Sequence, residues 1–188
     1  LIEILGEEKI DDARDANTFV LLPGSRRTEL NSLLKPMLET ATRLLETKPE
    51  LKFVIPAARP SLIPIIESFL QEVPNRDKFT VADGDSTYWM QKAGSGLASS
   101  GTVTIQAAIL GLPLISIYHV RPITFFMVKR LIKLDYFTMV NIIAEKEIYH
   151  EFLQGDVNAD TLTPECLQII PGGERHDEVC RDLEEMVK

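Results

Sequence analysis

Three stretches of this chain hold residue types that could do chemistry at a spacing that would bring them together. The first is Leu22-Pro23-Gly24-Ser25-Arg26-Arg27, which joins an apolar run to a helical pattern. Gly24 lets a backbone approach a ligand closely, Ser25 can cap the next helix, and Arg26 can offer a planar guanidinium to a phosphate. The turn lacks the Gly-Lys-Ser/Thr ending of a nucleotide P-loop and is no Gly-x-Gly-x-x-Gly fingerprint. A surface turn with solvated arginines is the alternative reading. The second stretch is ASSGTVTIQA, residues 98–107. Ser99, Ser100, Gly101 and Thr102 would leave amides and hydroxyls at a helix start, with Gln106 one turn further on. Helix capping explains each of these residues singly. It does not explain why both turns are so poor in carboxylates, and two such turns in one sheet point to a ligand carrying phosphate and hydroxyl groups.

The third stretch, residues 121–137, has no acidic residue before Asp135 although the chain is acidic overall. It interleaves Arg121, Lys129, Arg130 and Lys133 with Phe125, Phe126, Met127 and Leu131. That composition suits a helix lying on an anionic bilayer or a wall around an amphiphilic substrate. An ordinary helix with Phe125, Val128, Leu131 and Ile132 in the core is the alternative. His119 could line the crevice at a strand end, while His150 and His176 have no partner near in sequence. Asp83 and Asp85 fit a turn better than a ligand contact. No Ser/His/Asp grouping, carboxylate pair or metal-ligand spacing stands out, and the two cysteines, Cys166 and Cys180, suit a reducing compartment.

These turns need a scaffold, and the chain alternates short apolar runs with helical patterns. Strands are expected at residues 19–22, 51–55, 78–81, 96–98 and 113–118. Helices are expected at 28–46 (with Leu30, Leu33, Leu34, Met37, Ala41, Leu44 and Leu45 inward), 61–72, 87–92 after a Ser86 cap, and 103–110 closed by Gly111. Further helices are expected at 123–134, 147–153, 163–170 and 174–187. Strand–helix alternation implies a parallel sheet with helices on both faces, a Rossmann-like α/β fold. The expected division is a start or linker at residues 1–18, a ligand-binding α/β domain at 19–156, and helices at 157–188. These last complete that domain or pack on a partner half.

With 188 residues, 45% hydrophobic and 26% charged, the chain can bury a core as one domain. A net charge of −8 argues against broad nucleic-acid binding. No apolar run approaches the roughly 18 residues of a membrane span. The chain begins with Leu1 rather than Met, which reads as part of a longer protein.

The segments LLPGSRRTEL, VADGDSTYWMQKA, ASSGTVTIQAAILGLPLISIYHVRPITFFMVKRLIKLDYF and VNIIAEKEIYHEFLQGD resemble, in order and spacing, the carboxyl-terminal half of the lipid-A-disaccharide synthases, over about residues 19–156. The resemblance implies one half of a two-domain GT-B fold and an inverting glycosyltransferase. Such enzymes move 2,3-diacylglucosamine from UDP-2,3-diacylglucosamine to lipid X, 2,3-diacylglucosamine 1-phosphate, giving the lipid A disaccharide phosphate and UDP. It implies that Arg26 faces the diphosphate, that Gly24, Ser25, Ser100, Gly101 and Thr102 lie beside the nucleotide, and that Asn141, Glu151 and Gln154 lie near the donor crevice. It further implies no metal or other cofactor, a site on the cytoplasmic face of a Gram-negative inner membrane, acyl chains to occupy the basic, Phe-rich stretch, and an amino-terminal half that holds the acceptor site. A homo-oligomer stays open. Another UDP-sugar enzyme such as an epimerase, or a non-catalytic binding domain, is the alternative. Three positions depart from the family pattern, Gln106 in place of the usual Glu, Val140 in place of Pro and Gly94 in place of Asp, and the first and last of these motivate the binding-domain reading.

Overall fold

The structure is a computed structural model, and it describes residues 13–118 and 136–188. Six parallel strands form one sheet: β1 (Asp15–Leu22), β2 (Lys52–Ala57), β3 (Phe79–Asp83), β4 (Ala93–Ser99), β5 (Leu114–Tyr118) and β6 (Glu151–Leu153), in the order β3-β2-β1-β4-β5-β6. The helices are α1 (Arg27–Thr47), α2 (Ile63–Leu70), α3 (Ser86–Lys92), α4 (Thr102–Ile109), α5 (Met139–Ala144), α6 (Ala159–Ile169) and α7 (His176–Val187). Right-handed crossovers place α1 and α2 on one face, where α6 packs on α1. They place α3, α4 and α5 on the other, where α7 packs on α4. This is the doubly wound, Rossmann-like order.

The central strands are apolar without alternation because both of their faces are covered. Phe19, Val20, Leu21 and Leu22 are all buried, as are Phe53, Val54 and Ile55. Register makes an aromatic ladder of them. Phe19 pairs with Phe53 and Phe53 with Phe79. Their ring centroids stand 5.8 Å and 5.0 Å apart, within the range at which aromatic pairs add to plain burial. Above the ladder, α1 lays Leu30, Leu33, Leu34, Met37, Ala41, Leu44 and Leu45 into the core at helical spacing.

The sequence expectations need four corrections here. β1 begins at Asp15, ahead of the expected strand at 19–22; only the apolar half of the strand carries a hydrophobic signal. The expected helix over 147–153 is instead a loop leading into β6, whose Glu151, Phe152 and Leu153 pair with Ser116, Ile117 and Tyr118. Three residues are too few for a period to distinguish strand from helix. The cap of α3 is Asp85, in the left-handed region at φ 52°, whose carboxylate accepts from the Tyr88 amide at 3.1 Å; Ser86 is the first helical residue. The cap residue of α1 is Arg26 rather than Ser25.

A half-buried cation ties the layers together. Arg14 Nη1 donates to the carbonyls of Met90 (2.7 Å), Gln91 (3.2 Å) and Ala93 (2.8 Å), and Nη2 donates to that of Leu110. One guanidinium thus satisfies the carboxyl-terminal carbonyls of both α3 and α4, where helix dipoles are negative. Burial pulls its pKa below the ordinary arginine value.

Candidate active site in the sheet crevice

The two polar turns leave β1 and β4, neighbouring strands whose next helices go to opposite faces. That is the topological switch point, where open α/β sheets bind ligands. Between the turns lies a cleft of about 410 Å³. The first turn contributes Gly24, Ser25 and Arg26 to it, and the second contributes Ser99, Ser100, Gly101 and Thr102, with Gln106 one turn along α4. Ser86, at the start of α3, closes a third side. The structure therefore brings seven of the expected nucleotide-site residues around one opening.

Each turn is held by its own bonds. The Ser100 amide donates to the Ile117 carbonyl at 2.8 Å, which continues the β4–β5 ladder into the turn. Thr104, buried under the turn, donates through its hydroxyl to the Gly101 carbonyl at 2.7 Å. As in any α-helix, the first amides of α4 have no intrahelical acceptor, and Thr102 and Val103 stand at the cleft. The helix dipole adds positive potential at that point, which suits a phosphate.

The first turn departs from the carboxylate-poor expectation. Glu29, on the first turn of α1, reaches back so that its Oε2 accepts from the Ser25 amide (2.9 Å) and the Arg26 amide (3.1 Å). Its Oε1 accepts from Arg26 Nη1 at 3.2 Å. The Arg26 side chain is 77% exposed and that of Glu29 is 31% exposed. Gly24 makes this geometry possible: it sits at φ 108°, and a Cβ there would overlap the Glu29 carboxylate. A second cation, missed in the sequence, joins the turn from the end of β2: Arg59 Nη2 donates to the Ser25 carbonyl at 2.6 Å. Its only signal was a basic residue just past a strand end.

Asn141, Glu151 and Gln154 are not among the residues lining this cleft. Asn141 is fully buried and spends all four of its hydrogen-bonding positions within the chain. Nδ2 donates to the Tyr149 carbonyl (2.7 Å) and to Glu151 Oε1 (2.9 Å), while Oδ1 accepts from the Ile148 and Tyr149 amides, both at 2.9 Å. Glu151 in turn accepts from the Phe137 amide (2.7 Å) and the Thr138 amide (2.6 Å), at the start of α5. Together they lock α5 to β6. Gln154, at φ 53°, begins the short turn that follows β6.

The departures from the family pattern fall in different places. Gln106 stands in the cleft. Val140 is buried in α5. Gly94 lies at the amino end of β4, far along the strand from the cleft, where a Cβ would meet Pro171 at 2.8 Å and the Asp15 carbonyl at 3.1 Å. There is no room for an aspartate at that position, so this departure concerns packing.

His150 does have a partner, Glu165 at 2.6 Å, and His176 meets Asp177 at 2.9 Å. His119, Arg121, Phe125, Phe126, Lys129, Arg130 and Lys133 lie outside the described residues. Among the described residues no group of three or more His, Cys, Asp or Glu side chains could hold a metal ion, and no helix is long and apolar enough to cross a membrane.

Comparison with solved structures identifies the same fold. The chain resembles the glycosyltransferase WaaG of lipopolysaccharide biosynthesis with a TM-score of 0.59 at 13% identity, over 96–98% coverage shared with a UDP-bound MnaA from S. aureus that scores 0.59 at 13%. In both cases it covers 46% of the larger chain. It also matches the C-terminal CMP-Kdo binding domain of WaaA from Acinetobacter baumannii, with a TM-score of 0.55 at 10% identity, covering 100% of this chain and 96% of that one. The fold is thus one half of a GT-B architecture. In sequence, the chain is 34% identical to a lipid-A-disaccharide synthase of Persephonella marina over 97% of its own length and 48% of the relative's. It is 35% identical to that of Alteromonas mediterranea over 81% and 41%. The chain spans about half the length of the curated relatives it matches. The lipid-A-disaccharide synthetase family model matches residues 3–188. A match over nearly the whole chain, with a third of residues identical to curated members, means that this chain belongs to the lipid-A-disaccharide synthase family.

Proposed function

We propose that this chain is the donor-nucleotide half of a lipid-A-disaccharide synthase, and that the cleft between the β1 and β4 turns holds the uridine diphosphate of UDP-2,3-diacylglucosamine. The observation that carries the reading is the convergence of Arg26, the first amides of α4 and the Ser100-Gly101-Thr102 turn on one opening at the switch point. Gln106 is placed to accept a ribose hydroxyl there, without the charge that the usual glutamate would bring. When the glycosyl bond to the donor breaks, negative charge grows on the diphosphate. A fixed guanidinium and a helix N-terminus stabilise that charge more in the transition state than before it. The acceptor, lipid X, and the catalytic base belong in this reading to the half that the longer relatives possess. The 188-residue chain alone then forms no disaccharide.

The basic, Phe-rich stretch at residues 121–133 is proposed to meet acyl chains or the anionic cytoplasmic face of the inner membrane of a Gram-negative-type bacterium. It is followed in sequence by the exposed face of α5, where Met139 is 52% and Ile143 59% exposed. Residues 19–156 are proposed as the nucleotide-sugar domain, which α6 and α7 complete by packing on α1 and α4. The epimerase alternative is favoured by no residue of the cleft, and the sequence identity to the synthases weighs against it.

The test is a titration of the chain with UDP, followed by calorimetry, beside Arg26→Ala. Saturable binding that weakens about five- to tenfold in the variant, as expected for a lost charge-assisted contact, supports the reading. Equal affinity in both proteins removes Arg26 from the diphosphate site, and no binding by either refutes the donor-site assignment for this chain.

A further inference from the structure

We infer that Glu29 is an internal stand-in for the ligand's phosphate, holding the first-turn amides and Arg26 until a diphosphate displaces it. The inference rests on the donor-nucleotide reading above and concerns how that site is controlled.

A carboxylate at the third helical position often reaches back to cap its own helix, which accounts for one contact with the Arg26 amide. Glu29 does more than that. One oxygen lies over Gly24 and takes both the Ser25 and the Arg26 amides, and the other takes the guanidinium of Arg26. Two amides and a guanidinium converging on one anion are the donor set that a phosphate oxygen recruits. They face the cleft that Glu29 itself helps to line. The space over Gly24 is so close that a single added methyl there would overlap the carboxylate. A phosphate oxygen and the Glu29 carboxylate therefore cannot occupy it together, and two anions sharing one guanidinium repel each other.

Three consequences follow for the free chain. The turn keeps the shape a ligand needs, because its donors already surround an anion. Arg26 is held at the turn although most of its side chain is in water. Phosphate binding, unlike nucleoside binding, must break the Glu29 contacts, so the resident carboxylate lowers affinity for UDP and leaves affinity for uridine unchanged.

The test compares the 188-residue chain with Glu29→Gln. Glutamine keeps an oxygen to accept from the Ser25 and Arg26 amides, so the helix cap survives while the competing charge goes. The expected result is UDP binding about three- to fivefold tighter in the variant, the scale of an exposed ion pair, with no change toward uridine. A second measurement needs no variant. In amide NMR spectra of the unaltered chain, the Ser25 and Arg26 signals and the Glu29 carboxylate carbon should move on saturation with UDP and stay in place with uridine. UDP binding no tighter in Glu29→Gln overturns the inference and leaves the donor reading standing; Ser25 and Arg26 amides unmoved at saturation overturn the inference and also remove the first turn from the diphosphate site. No UDP binding by either chain overturns both.

Discussion

Replacing Asn141 by alanine should be among the most damaging single changes in the described part of this chain, although the residue touches nothing outside it. The side chain is 0% exposed, and its loss strands three buried backbone groups: the Ile148 and Tyr149 amides and the Tyr149 carbonyl. Each such group costs about 1–1.5 kcal/mol when partial repair by water is allowed, so the sum is about 4 kcal/mol. That is a large part of the roughly 5–15 kcal/mol by which domains are stable. For a chain of this size it corresponds to a fall in Tm of about 8–16 °C. Urea unfolding at 25 °C measures the difference directly, and a loss under about 1 kcal/mol would refute the accounting. Asn141→Asp sharpens the argument. It keeps both accepted bonds but sets a second carboxylate against Glu151, which Nδ2 now meets at 2.9 Å. A carboxyl introduced beside that carboxylate holds its proton more readily in the folded state than in the unfolded one. The folded state then binds more protons, so this variant should regain stability as pH falls, while Asn141→Ala should not. Parallel pH curves for the two variants would dismiss the carboxylate pair.

Arg14→Ala should cost about 3 kcal/mol, because four carbonyls lose their donor at the ends of α3 and α4, and Arg14→Lys should recover only part of it since an ammonium cannot span them all; chemical denaturation of the three proteins tests the order. The chain should co-sediment with anionic liposomes more than with neutral ones, and replacing Phe125 and Phe126 by serine should reduce that binding. Equal sedimentation with both lipids would count against the bilayer reading of residues 121–133.

The strands of the sheet core were legible because strands covered on both faces must be apolar throughout, and the runs at Phe19–Leu22 and Phe53–Ile55 are. The helix faces were legible because burial imposes a 3.6-residue period, as in α1. The two turns were legible because Gly, Ser and Arg or Thr between a strand and a helix mark a strand-to-helix turn, and their order in the sequence matched a known family. Local signals failed where the partner is distant or the element is short. β6 has three residues and looks helical beside its neighbours; it is a strand because Ser116 to Tyr118 offer an open edge. Arg14, in the acidic opening, gave no sign that it would meet carbonyls about 76 to 96 residues away.

Sequence alone determined which polar groups stand at the crevice, since Arg26 and the Ser-Gly-Thr turn are residue types at strand ends and need only a parallel sheet to come together at one opening. Tertiary structure decided what each polar group is free to do. Composition could not separate Asn141, whose every bond is consumed in locking α5 to β6, from Gln106, which stands at the cleft. Nor could it show that Glu29 folds back over Gly24 onto the amides that an anion would use. Both outcomes depend on which donors and acceptors the fold brings within 3 Å of one another, and that is a property of the packed chain rather than of any local run of residues.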